Sequence, residues 1–450
     1  MDLRHAKLQM ERGNFDEAAT VFMQALSEDF NNAEVLFHLG SCYLAKQQYG
    51  VAANLFKSAL DIEKIPHAMQ NLGACYKSVN KPEIAEQIFE MGCEIATSDR
   101  QRADFYANIA GCYVNNGTPE KAKEYFQKAL DLDPTNLRLQ FDMCWPYLET
   151  GQWEEGFRRY DIGFKAGTRA HRTYEGVKPY QFTGYQEIAG KTVIVWGDQG
   201  IGDEIMFASC IPDLIKDAKK VIFDCHPRLV SLFERSFGIE CHGTRKTQMM
   251  DWHLASGADV SIPLSSLATI YRSQGKFPGK PYLTSEGINY GYTGRIGIAW
   301  AGGIPQTRTD LRSIELDDLS LLLHSDAEWH SLQYKDNAAQ ELAKFEEHTG
   351  IHVKHYPGHV QCEDYAKTAA YLKSLDLVIT VCTSIVHLAG ALGVPCWCLV
   401  PSKPAWRYGS IGASMPWYDS VRLFRQKDGD WPSLINEVKG ALTSYLQVGA

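Results

Sequence analysis

The feature that most limits this chain is a small–aromatic–small triplet that recurs along its first third. Ala18, Phe22 and Ala25 stand four and three residues apart. The spacing returns as Ala52, Phe56, Ala59, then as Ala85, Phe89, Gly92, then as Ala122, Phe126, Ala129. A weaker copy is Gly156, Tyr160, Gly163. The first members are separated by 34, 33, 37 and 34 residues. A second set precedes the later triplets: Leu39–Gly40–Tyr43, Leu72–Gly73–Tyr76 and Ile109–Ala110–Tyr113. Spacings of three and four place these residues on one helix face. Small residues at fixed points let two helices approach, and the aromatic fills the neighbouring groove. A period of this length predicts stacked helix pairs, none of which buries its apolar face alone.

Period and residue classes resemble the tetratricopeptide repeat family, with about five helix pairs over residues 1–165. The resemblance implies an α-solenoid whose concave face takes an extended peptide or a partner protein. The plainer use is a scaffold that extends the chain or joins it into a homodimer.

Beyond Lys165 the repeat stops, and residues 166–190 carry no period. Apolar runs then alternate with helical patterns. The runs are TVIVWG (192–197), VIFDC (221–225), RIGIAWA (295–301), EWHSLQ (328–333), DLVITVC (376–382) and VPCWCLV (394–400). Helical patterns cover Glu204–Ile215, Pro227–Phe237, Asp317–His324, Asn337–His348 and Glu363–Ser374. This alternation predicts parallel sheets with ligands at the carboxyl ends of the strands. The expected fold class is α + α/β: a solenoid, then two Rossmann-like units at 166–285 and 286–450, hinged at 275–287.

Composition narrows the partners. The 450 residues are 45% hydrophobic and 22% charged, as in folded globular chains. A net charge of −9 argues against nucleic acid, which calls for a basic surface. The start, Met1 to Gly13, is polar and has no apolar targeting core. The longest apolar stretch, 376–400, is broken by Thr380, Thr383, Ser384, His387, Gly390, Gly393 and Pro395, so no membrane span is expected. Of twelve cysteines, Cys42, Cys75 and Cys112 each precede a repeat tyrosine, which makes them equivalent packing positions. No C-x-x-C occurs, and no His, Cys, Asp and Glu set has metal-ligand spacing. A reducing, cytoplasmic setting without a metal is expected.

Two motifs carry chemistry. Gly197-Asp198-Gln199-Gly200-Ile201-Gly202-Asp203-Glu204 follows a strand and opens a helix. Its glycines permit a tight turn and close backbone approach. Asp203 reads either as the helix N-cap or as a carboxylate able to act as general base. Gln199, Gly200 and Gly202 form the loop beside it. The full dinucleotide fingerprint is lacking, so NAD is not expected. The second motif runs from Val381 to Gly393. There a helix N-terminus offers free amides to a diphosphate, and Thr383 and Ser384 add hydroxyls. Thr383 and His387 share a face, while Ala389 and Gly390 permit close packing or close ligand approach. The plainer reading makes this a buried helix with His387 as a core histidine.

The stretch AGKTVIVWGDQGIGDEIMFAS is similar to the entry strand and loop of heptosyltransferase-like glycosyltransferases. More closely, it resembles proteins that join tetratricopeptide repeats to such a domain. Six further blocks resemble that family in order: 296–303, 311–316, 330–334, 376–400, 404–409 and 417–426. The resemblance implies two facing Rossmann-like domains in a GT-B-like arrangement. It implies sugar transfer from a nucleotide-diphosphate donor to an acceptor hydroxyl on a protein or glycan, without a cofactor. Asp203 matches the family's base, and Thr383, Ser384, His387, Ala389 and Gly390 lie on its donor helix. Arg312 and Ser313 match the pair near the donor phosphates. Trp406, Arg407 and Gln333 fall in blocks that line the cleft, with core packing the other use of Trp406. Cys382 departs from the family, which usually carries an acidic residue there. That departure motivates the alternative, a non-catalytic binding protein with a degenerate nucleotide-sugar cleft.

Overall fold

A computed structural model describes residues 3–244, 250–286, 294–303 and 309–449. Gly287, the last residue of the expected hinge, lies outside the described residues. The chain forms two compact units that divide between Tyr147 and Leu148.

The first unit is a run of helices: Leu3–Glu11, Phe15–Glu28, Ala33–Ala45, Tyr49–Ile62, Pro66–Ser78, Pro82–Ile95, Asp99–Asn115, Pro119–Leu132 and Leu137–Asp142. Local chemistry sets their starts. Asn32 and Ser98 accept from the amides of Val35 and Gln101, and Pro66, Pro82 and Pro119 open their helices. The turns inside the pairs use left-handed backbone at Gly13, Gln47, Asn80 and Gly117, one per repeat. Phe22, Phe56 and Phe89 are fully buried. A Cβ on Gly40 would lie 2.8 Å from the Phe56 ring, and one on Gly73 or Gly92 only 2.2 Å from Phe89 or Phe105. The small–aromatic pattern is thus the helix-to-helix contact itself. Cys42, Cys75 and Cys112 are buried in the same clusters, and burial pushes each thiol up to about 11. None of the twelve cysteines is held in a disulfide.

The second unit takes in the helix Trp153–Lys165, which carries the weak fifth triplet. The expected solenoid runs to residue 165, yet this helix packs within the 148–450 unit. Its buried Asp161 accepts from Ser266 Oγ at 2.6 Å and Thr269 Oγ1 at 2.7 Å. Two sheets follow. The first holds β1 (Lys178–Pro179), β2 (Thr192–Trp196), β3 (Lys220–Asp224), β4 (Glu240–His242) and β5 (Val260–Pro263), in the order β1-β5-β2-β3-β4. All its pairs are parallel. The second holds β6 (Arg295–Ala299), β7 (Glu328–Ser331), β8 (Lys354–His355), β9 (Leu377–Val381), β10 (Cys396–Val400), β11 (Ser414–Met415) and β12 (Tyr418–Arg425). Its order is β11-β12-β10-β9-β6-β7-β8, parallel except for β11 on β12.

Strands β2, β9 and β10 are buried throughout, which explains their unbroken apolar runs. The strands without such a run are short, as β1, β4, β5, β8 and β11 are, or alternate with polar residues, as β12 does. Leu434, Ile435, Val438 and Leu442 of the helix Trp431–Gly449 close the core behind the second sheet. The expected hinge is held at two adjacent residues: Leu283 N donates to Ala391 O at 3.0 Å, and the Tyr282 hydroxyl to Ile205 O at 2.6 Å. Among the described residues no helix is long and apolar enough to cross a membrane.

Candidate functional site

Both motifs lie past the carboxyl ends of central strands. After β2 the chain turns through Gly197 and enters the helix Ile201–Phe207. Gly197 makes room for the Glu204 carboxyl group, which accepts from His226 N at 2.8 Å. Gly200 is the residue before the helix, so Asp203 lies within the first turn. The capping reading of Asp203 is therefore corrected: it would need the helix to begin at Glu204. Asp203 Oδ1 instead accepts from Arg407 Nε. Gln199 Nε2 donates to Asp198 Oδ2 at 3.2 Å, and Asp198 is itself tied to Arg169 and Ser265.

After β9 comes Cys382, then Thr383 as the cap of the helix Ser384–Leu392. Thr383 Oγ1 accepts from Ile385 N at 3.2 Å. Ser384 Oγ and the Tyr365 hydroxyl are 2.8 Å apart. Arg312 Nη1 donates to the Cys382 carbonyl at 2.8 Å. The Cys382 thiol is turned onto β10, 3.8 Å from Cys398 Sγ and 3.9 Å from Leu399 O. This position thus offers its carbonyl to Arg312 and its side chain to the core.

The two motif helices meet. A Cβ on Gly202 would lie 3.2 Å from His387 Cδ2 and 3.3 Å from Ser384 Cα, so glycine permits the contact. Burial pushes the His387 imidazole down to about 4, and its Nδ1 is 3.3 Å from the Tyr418 hydroxyl. Arg407 Cζ lies 4.9 Å from the Trp406 ring centroid. Asp203 and Arg407 are 18% and 19% exposed, enough to be reached by a ligand and too little for full hydration.

Along the ends of β6 and β7 the packing is equally close. A Cβ on Gly302 would stand 2.5 Å from Thr383 Cγ2, and Gly303 N donates to the Tyr334 hydroxyl at 2.9 Å. Gln333 is fully buried, and neither of its amide side-chain atoms has a hydrogen-bond partner. The Ser313 Oγ is likewise buried without a partner. Buried amides without partners are rare, and a polar ligand is one way to satisfy them.

The structure therefore brings together Asp203, Gly202, Ser384, His387 and Arg407, with Arg312 and Thr383 on the same helix end. It does not bring in three others. Gly390 lies under the Tyr418 ring, with a Cβ only 2.6 Å from Cδ2, and Ala389 is fully buried. Their small size serves packing, which corrects the donor-contact reading. Trp406 sits 6.3 Å from Phe157 and 6.5 Å from Phe207, so its ring belongs to the core. Tyr365, Tyr418 and Gly302 complete the site, and no sequence spacing pointed to them. A cavity of about 510 Å³ lies to one side, lined by Trp300, Ser313, Lys335, Glu341 and Lys344. It shares Ser313 with the strand ends but not Asp203 or Arg407. Among the described residues no group of three His, Cys, Asp or Glu side chains converges on a metal position.

Models of the tetratricopeptide repeat match residues 3–66 and 103–136. Over 334 residues the chain is 25% identical to Protein FlbA of Caulobacter vibrioides, a match that takes in 68% of this chain. It spans about half of that relative's own length, 55%. Among solved structures, MamA is 21% identical over 37% of this chain and 96% of its own, with a TM-score of 0.33. PilF of Pseudomonas aeruginosa is 18% identical over 38% of this chain and 76% of its own, with a TM-score of 0.34. The two family-model matches place tetratricopeptide repeats in the early part of the chain, a fold suited to holding proteins and peptides.

Proposed function

We propose that the 148–450 unit is a glycosyltransferase of GT-B-like, Rossmann-like build, and that the repeats recruit its acceptor or a partner protein. The donor is a nucleotide-diphosphate sugar, and the acceptor a hydroxyl on a protein or glycan. The observation that carries the reading is the Asp203–Arg407 pair against the first turn of the helix Ser384–Leu392. Asp203 takes the acceptor proton while the new bond forms between the acceptor oxygen and the sugar carbon. The bond from sugar to diphosphate breaks, and Arg312 with the helix amides stabilises the departing charge. The Gln333 amide supplies polar contacts to the donor at the strand ends.

The test is turnover. Wild-type protein is incubated with a panel of nucleotide sugars, and released diphosphate is measured. One donor should be consumed, and Asp203→Ala should lower turnover about 10²-fold or more while nucleotide binding persists.

One observation favours a second reading. Cys382 stands at the donor loop with its thiol turned into the core, and the repeat array is by itself a binding fold. On that reading the cleft senses a nucleotide sugar without turning it over. A wild-type protein that binds a donor and never consumes it would establish this reading over the first.

A further inference from the structure

Asp203 and Arg407 come from opposite sheets of the 148–450 unit. Asp203 follows β2, and Arg407 lies on the short turn after β10, 204 residues further along the chain. Their bond uses Arg407 Nε, one of the five donors of the guanidinium fork. The pair lies on the helix end assigned above to the donor. Gly202, next to Asp203, packs on Ser384 and His387, and both Asp203 and Arg407 act electrostatically on the His387 ring. Arg312 is fixed to the same helix end through the Cys382 carbonyl. A guanidinium suits a carboxylate and a phosphate by the same fork geometry, and a diphosphate brings more charge than one carboxylate. A guanidinium only 19% exposed is costly to leave alone, so one anion must replace another.

We infer that Arg407 is shared: Asp203 and the diphosphate of a nucleotide compete for it, so that donor binding releases Asp203 to meet the acceptor. This rests on the nucleotide-sugar reading above. It makes the order of binding a property of one side chain, donor first and acceptor second. No covalent step is involved. Binding transfers the Arg407 Nε hydrogen bond from carboxylate to phosphate, and the Asp203 carboxyl group becomes available to the acceptor.

The test uses the full chain and four probes: uridine, guanosine, adenosine and cytidine diphosphates. Affinities are measured by titration calorimetry for wild type, Asp203→Asn, Arg407→Gln and the double variant. The nucleotide that binds wild type should bind Asp203→Asn about fivefold more tightly or better, because its competitor is gone. Arg407→Gln should bind more weakly, and adding Asp203→Asn to it should bring no gain. Arg407→Lys keeps the charge without the fork, and in that background the gain from Asp203→Asn should shrink. Far-ultraviolet circular dichroism and melting confirm that each variant is folded. Equal or weaker binding by folded Asp203→Asn overturns the inference, as does an undiminished gain in the Arg407→Gln background. Absence of binding by both wild type and Asp203→Asn to all four nucleotides overturns the nucleotide-sugar reading itself.

Discussion

The repeat helices and the paired sheets use one device, a missing side chain opposite a ring, in two ways. In the repeats Gly40 meets Phe56, Gly73 meets Phe89 and Gly92 meets Phe105, always across to a nearby helix. In the 148–450 unit Gly390 meets Tyr418 and Gly202 meets His387, partners set by sheet topology rather than by a period. The first use is redundant, since each contact is one copy of several. The second is unique, and its loss has no neighbour to share it. Repeat packing therefore spreads its risk over several copies, while the site depends on single residues.

That contrast can be broken at several points. The largest effect belongs to the repeats. Phe89→Ala removes a fully buried ring and should cost about 3–5 kcal/mol in urea unfolding. Enlarging Gly73 in the same protein, as Gly73→Leu with Phe89→Ala, should recover part of that loss, because the volume is returned to the same contact. In the second unit, Gly390→Leu forces a side chain into the Tyr418 ring and should cost about 1–3 kcal/mol or more, with no simple partner change to restore it. A rescue of Gly390→Leu as easy as that of Phe89→Ala would erase the distinction.

Acid should expose the buried histidine. The folded pKa of His387 is about 4, below its ordinary value of 6.5, so the unfolded chain binds the extra proton more readily. Stability from this group is present above pH 6.5 and declines as pH falls toward 4. The ring is 4% exposed, so the loss should reach roughly 2–3 kcal/mol across that window. His387→Asn should flatten this part of the pH profile in denaturant titrations. The smallest effect is a gain. Gln47 is held at a φ of 59°, where its repeat counterparts Gly13 and Gly117 are glycine. Gln47→Gly should stabilise the repeats by about 0.5–1 kcal/mol, read as a raised unfolding midpoint.

Legibility follows the same line. The repeat contacts could be read because helix geometry converts spacings of three and four into a shared face. The cysteines before each repeat tyrosine could be read for the same reason. The buried strands β2, β9 and β10 could be read because parallel central strands are apolar on both faces. Helix entry defeated the reading of Asp203, since the turn begins at Ile201 under a glycine cap that carries no side-chain signal. The place of the helix Trp153–Lys165 was hidden too. Asp161 finds Ser266 and Thr269 more than a hundred residues away. Cys398 showed only strand alternation, and its approach to Cys382 comes from the pairing of β10 with β9. Asp203 and Arg407 were each marked for separate reasons, and their contact needed both sheets in place.

On the proposed reading the donor lies at the first turn of the helix Ser384–Leu392, with Asp203 of the helix Ile201–Phe207 beside it. Hydrogen exchange followed by mass spectrometry, with each of the four nucleoside diphosphates added to the full chain, reads both helices at once. One nucleotide should protect residues 199–207 and 382–390 together. No protection by any of the four, or protection confined to the repeat helices, would contradict it.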